Sequence, residues 1–304
     1  MDRKKSVNRL FFFLFFWGMF LPGIVLSVYK QMDISLLAAA LELFGYLLPA
    51  VLFLLLKKKS FRTCVPFQKV TPQTIAASVF TGILLVFISA FLNFVSMLFV
   101  KNHAAASPLL SSNHSFWIDL LAIAVIPAIS EEMMLRGIFY QSYKDDTGSV
   151  IPGIIGSSLV FGMLHGNFAQ FFYTAVSGLI LCLLVEITGS IVSSMLAHFT
   201  VNSWTVVLLH FGSAEEETEV LAEGSGLVLQ FLEYFGLAVA AAAVLAGLFY
   251  RLMKRCGKEE HIRQCLKTDT ENGRIKSYFS FVTPIFAITA VFSLFWMIFI
   301  ESAG

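Results

Sequence analysis

Apolar runs of about 20 residues, broken by short polar or basic clusters, dominate the chain from end to end. A run of that length spans the roughly 30 Å hydrocarbon core of a bilayer as a helix. The pattern predicts spans near 10–28, 36–56, 74–100, 116–140, 150–166, 168–186, 191–210, 226–250 and 280–300. The fold class expected is an all-α, polytopic membrane helical bundle of about 8–9 transmembrane helices. Nine is the preferred count, and eight follows if 150–166 or the first segment does not cross fully. Three parts are expected: three helices in 1–115, a central helical core in 116–210, and two helices in 211–304 with a polar loop at 251–279.

Composition supports this pattern. Apolar residues make up 57% and charged residues 13% of the chain, against about 25% charged in soluble domains, and the mean hydropathy is +0.79. Lys and Arg are retained on the cytoplasmic side of a membrane. All of the 21 except Lys30, Lys101 and Arg136 fall in 1–9, 57–69, 144 and 251–276, which are inner segments if the N-terminus is cytoplasmic. The opposite side then carries Glu215, Glu216, Glu217, Glu219 and Glu223, and nine spans put Gly304 outside. A multi-pass protein of the bacterial cell membrane is expected. The first segment follows Arg3, Lys4 and Lys5 like a signal peptide, but its length and the lack of a small-residue cleavage site favour an uncleaved anchor. Net charge is +1, so nucleic acid is not an expected partner, and the basic loops are explained by topology and anionic lipid. Cys64, Cys182, Cys256 and Cys265 imply no disulfide framework and fit no zinc knuckle.

Against this apolar background the polar residues of 116–209 stand out. An ionisable side chain near the bilayer centre costs about 2.5–3.5 kcal/mol on insertion scales. The strongest motif is Ser130-Glu131-Glu132-Met133-Met134-Leu135-Arg136-Gly137. Glu132 and Arg136 are one helical turn apart and can neutralise each other. Glu131 points about 100° around the helix from Glu132, leaving one carboxylate held and one free, which is the arrangement a general base requires. Phe161-Gly162-Met163-Leu164-His165 places a ring beside an imidazole, and His198-Phe199-Thr200-Val201-Asn202 places an imidazole and an amide on one face. Glu42, Glu186 and Glu233 are read as interhelical or interfacial residues, with Glu186 nearest the proposed cavity, and Asp119 as a helix start. At 1.5 Å per residue, Glu131 and His198 lie roughly 10 Å from the inner boundary and His165 roughly 20 Å. A fifth helix that is tilted, or that begins near Lys144 below the membrane surface, removes the mismatch.

Together these residues suit hydrolysis of a peptide bond. Glu131 and His165 can deprotonate a water, while His198 and Asn202 stabilise the developing oxyanion and Glu132 and Arg136 support them. No cofactor is required on this reading; the alternative makes Glu131, His165 and His198 ligands of zinc. The chain has no HExxH, no GxSxG, and no histidine close in sequence to Cys182. The three motifs, in this order and with Gly178 and Thr188-Gly189-Ser190-Ile191 between the last two, resemble the CAAX protease and bacteriocin-processing family over roughly 116–205. These are intramembrane endopeptidases that include the eukaryotic Ras-converting enzyme, and the family is often labelled metalloprotease. The resemblance implies a catalytic helical core with its cavity open to the cytoplasmic side, a peptide or protein substrate, lipidated in eukaryotic members, and the lipid bilayer as surroundings. Two rival readings use the same residues: a proton- or ion-coupled transporter, and a catalytically silent bacteriocin-immunity or scaffold protein.

Overall fold

A computed structural model describes residues 3–29, 34–57, 65–100, 115–212, 224–264 and 278–303. Nine long helical rods are present among them. They are α1 (Arg3–Val28), α2 (34–56), α3 (Pro72–Met97), α4 (116–147), α5 (Val150–Leu164), α6 (Phe168–Thr188), α7 (Ile191–Phe211), α8 (Ser225–Arg255) and α9 (Pro284–Ala303). There is no strand among the described residues; Phe67 and Ser190 form an isolated bridge. The all-α membrane bundle is therefore what the chain forms. Seven rods are long and apolar enough to cross a membrane by length and composition. The other two are α5, with 15 residues, and α4, which carries Glu131, Glu132 and Arg136 in its middle. Cys64, Cys265, the acidic cluster from Glu215 to Glu223, and the polar stretches 101–114 and 265–277 lie outside the described residues.

Two rods change winding where a proline requires it. Proline lacks an N–H and crowds the carbonyl four residues back. The π-helical turns Leu43–Leu47 in α2 and Leu120–Val125 in α4 end just before Pro49 and Pro127. A third, Met133–Tyr140, begins directly after Glu132. Turns between rods are closed by glycines at positive φ, Gly148, Gly166 and Gly189. Side-chain caps start α3, α5 and α6: Thr71, Ser149 and Asn167 accept hydrogen bonds from the amides of Thr74, Ile151 and Gln170.

Two apolar clusters hold the rods together. One joins α1, α4, α5 and α9 through Phe11, Leu135, Phe139, Phe161 and Phe286; the other joins α3, α6, α7 and α8 through Leu85, Leu184, Ala197 and Leu245. Hydropathy places the end of the fourth helix at 140, yet α4 continues to Thr147. Protein contacts replace lipid there. Tyr143 donates to Asn8, whose amide donates to the Phe281 carbonyl and to Thr283 at 2.9 Å. Lys144 and His261 lie 2.7 Å from Glu186, and Tyr140 donates to the same carboxylate.

The longer α4 also removes the depth mismatch. Glu131 and His165 lie about equally far from the Gly148 turn, roughly 23 Å along their helices, so the antiparallel hairpin sets them level. The fifth helix thus begins well beyond the site. His198, by contrast, is only about 10 Å from the start of α7, so the α4–α5 hairpin reaches further than the α6–α7 turn. Arg3 and Lys4 pair with Asp145 and Asp146 at the same end of the bundle.

The contact of α3 with α7 depends on Gly82, where an added Cβ would sit 2.5 Å from both the Ala197 carbonyl oxygen and the Thr200 Cβ. These are fixed backbone and branched atoms, so the helices must separate. Gly82→Val is expected to destabilise the protein by about 1–3 kcal/mol, read as a lower Tm in detergent.

Candidate active site

The site is assembled from α4, α5, α6 and α7, with walls added by α1, α2 and α9. Arg136 and Glu132 are its most buried charges, each with 0% exposure. Arg136 Nη1 donates to Glu132 Oε1 at 2.7 Å. The guanidinium carbon lies 4.8 Å from the centre of the Phe161 ring, a cation–π contact in surroundings without water. Nη2 lies 3.5 Å from the Gly178 carbonyl on α6. Gly178 in turn permits close approach of α5, since a Cβ there would be 3.0 Å from Ser158. The pair is single rather than forked: Glu132 Oε2 and Arg136 Nε have no partner among the described residues.

His198 on α7 connects the two glutamates. Its Nδ1 is 2.9 Å from Glu132 Oε1 and its Nε2 is 3.4 Å from Glu131 Oε2. The ring packs on Phe161, with centroids 5.8 Å apart. The two carboxylates are held differently. Glu132 is fixed by Arg136 and His198, whereas Glu131 has one looser contact and faces a cavity.

That cavity is about 520 Å³ and is lined by Glu131 and Pro127 of α4, His165 at the end of α5, Gln170 of α6, Glu42 and Tyr46 of α2, Trp296 of α9, and apolar residues of α1. His165 is held rigidly. Its Nδ1 is 2.9 Å from the Phe161 carbonyl, its ring stands edge-on to Phe161 at 5.0 Å, and its own carbonyl accepts from Asn167 at 3.1 Å. A ring nitrogen facing a carbonyl must carry hydrogen, so a neutral His165 keeps a lone pair at Nε2.

The structure brings Glu131 and His165 to one cavity and gathers Glu132, Arg136 and His198 behind them. In this arrangement both ring nitrogens of His198 face carboxylates. Asn202 follows one turn later on α7 and is half-buried; neither residue is among those lining the cavity. Among the described residues no three His, Cys, Asp or Glu side chains are grouped so as to hold a metal ion. The set Glu131, His165 and His198 does not form such a group.

Sequence reasoning missed Glu42, read there as an interhelical residue. It lines the cavity, and its Oε2 is 2.7 Å from Ser130 Oγ, beside Glu131. A carboxylate in mid-span was the available signal. Gln170, Tyr46 and Trp296, which carry no charge, had no comparable signal. Glu186, read as interhelical or interfacial, binds Lys144 of α4 and His261 after α8 and is not among the residues lining the cavity. Asp119 is fully buried, lying 2.7 Å from His210 Nε2 and accepting from Ser35, so it ties α2, α4 and α7 rather than only starting a helix.

Residues 113–204 match the family model described as Rce1-like, type II CAAX prenyl endopeptidase. The chain carries an Rce1-like domain. This is consistent with the CAAX protease and bacteriocin-processing family and connects the chain with intramembrane endopeptidases. No curated protein and no solved structure matches it. The Rce1-like domain extends from the start of α4 into α7 and includes Glu131, Glu132, Arg136, His165, His198 and Asn202. Glu42, Tyr46 and Trp296 lie outside it.

Removing one partner of a buried ion pair strands the other, at a cost of about 3–5 kcal/mol. Glu132→Ala is expected to lose that much stability, and Glu132→Ala with Arg136→Met to recover most of it. Glu131→Gln leaves the pair intact and should keep a Tm close to wild type. Thermal unfolding of the detergent-solubilised proteins checks all three.

Proposed function

We propose that the chain is an intramembrane endopeptidase that hydrolyses a peptide bond with a water activated by Glu131 and His165. The observation that carries this reading is the opening of these two side chains, from different rods, onto one cavity. A cavity of that size with polar partners accommodates water. Nε2 of His165 can accept one hydrogen bond from the water while Glu131 takes its proton and the oxygen attacks the peptide carbonyl.

His198 and Asn202 serve the oxyanion on this reading, and the order of events accounts for the resting arrangement. While Glu131 is ionised, it holds Nε2 of His198. Once Glu131 has taken the water's proton, that attraction ends, and an Nε2–H held in position by Glu132 at Nδ1 becomes available to the developing negative charge. Arg136 keeps Glu132 ionised and in place. No metal enters any step.

The substrate proposed is a peptide or protein that enters from the bilayer, with a lipidated C-terminus as the form that the apolar walls and the name of the matched family favour. The N-terminus is placed in the cytoplasm. In support, Arg3, Lys4 and Lys144 gather with the basic end of α8, Lys254 and Arg255, where the positive-inside rule puts such residues.

The test is cleavage of a peptide library, with and without a C-terminal prenyl-cysteine, by detergent-purified protein. Glu131→Gln and His165→Ala are each expected to lower kcat by about 10²–10⁴-fold, and Asn202→Ala by about 10²–10³-fold with little change in KM. Wild-type turnover in Glu131→Gln would overturn the assignment of the base. Proton or ion flux through wild-type liposomes, with no cleavage, would support a relay instead.

A further inference from the structure

Glu42 has a specific place in the cavity that the matched domain does not account for. It belongs to α2, outside residues 113–204, and faces the same space as Glu131 and His165. Arg136 is engaged by Glu132, His198 by both Glu131 and Glu132, and His165 through Nδ1 by the Phe161 carbonyl. No ion pair to Glu42 is found among the described residues.

Ser130 ties Glu42 to α4. Ser130 Oγ is 2.7 Å from Glu42 Oε2, 2.9 Å from the Ile126 carbonyl oxygen and 3.4 Å from that of Pro127. The hydroxyl has one hydrogen. It is donated to Glu42 Oε2, which leaves Oε1 as the oxygen that can carry a proton. A neutral carboxyl is the form that a buried site without a counter-ion holds at least cost. The widened π turn Leu43–Leu47 begins at the next residue, and such turns recur at functional sites.

We propose that Glu42 is the general acid of the reaction, protonating the amine that leaves. The proposal rests on Glu131 as the base. Water's oxygen bonds to the peptide carbon, its proton passes to Glu131, and the carbonyl π electrons move to oxygen. The carbonyl then re-forms as the C–N bond breaks; the bonding pair stays on nitrogen, which takes the Glu42 proton and departs as a neutral amine. The proton on Glu131 returns to Glu42 across the wet cavity. The net reaction adds one water and leaves both carboxyls as they began.

An acid is needed for a poor leaving group and far less for a good one. The experiment therefore compares the best peptide from the library with its depsipeptide, in which an ester replaces the scissile amide. Glu42→Gln should lower kcat on the amide by about 10²–10³-fold and on the ester by less than about tenfold, with KM unchanged and Tm near wild type. Glu131→Gln should lose both substrates. An equal loss on amide and ester in Glu42→Gln, or wild-type amide turnover, would overturn the assignment while leaving the hydrolase reading intact. A wild-type protein that cleaves neither substrate would remove both.

Discussion

A guanidinium that cannot reach water must be neutralised where it stands, and the middle of this bundle is arranged around that requirement. Arg136 is buried completely. It needs an anion one turn away, an aromatic face and a carbonyl, and Glu132, Phe161 and Gly178 provide them. Having paired with Arg136, Glu132 still has room at the same oxygen for His198, and His198 reaches on to Glu131. The charge thus imposes an order on four helices. Removing it would relieve a desolvation cost and also release the carboxylate that holds His198 against Glu131.

Away from that centre, polar knots join the rods at their ends. Asn8 with Tyr143 and Thr283 binds α1, α4 and the start of α9; Glu186 with Lys144, Tyr140 and His261 binds α4, α6 and the stretch after α8; Asp119 with Ser35 and His210 binds α2, α4 and α7. Lipid competes with side chains for apolar contact, so apolar packing alone is a weak discriminator between arrangements. Hydrogen bonds at the rod ends fix which helices are neighbours. Small residues such as Gly82 and Gly178 then set how closely they approach.

Much of this was legible in the chain because a membrane makes polarity expensive. The nine apolar runs correspond to nine rods, and the spacing of Glu132 and Arg136 was enough to foresee their pairing. The hydrophobic pattern failed where protein replaced lipid as the environment. The last two turns of α4 are polar by composition, yet Tyr140 and Tyr143 are fully buried there, so the helix runs on. Contacts distant in sequence were also hidden. Nothing near Glu42 announces Ser130, 88 residues on, and nothing near His198 shows that both of its nitrogens are occupied. The geometry of a site that draws on seven rods is a property of their packing, which a one-dimensional pattern does not encode.

The cavity's walls come from two sources. Glu131, His165 and Gln170 belong to the stretch that matches the family model, whereas Leu14, Phe15, Met19, Tyr46 and Trp296 come from helices outside it. The space is therefore enclosed jointly by the matched stretch and by helices outside it. Substitutions at Leu14, Phe15, Met19, Tyr46 or Trp296 can thus reshape that space without changing a residue of the matched stretch.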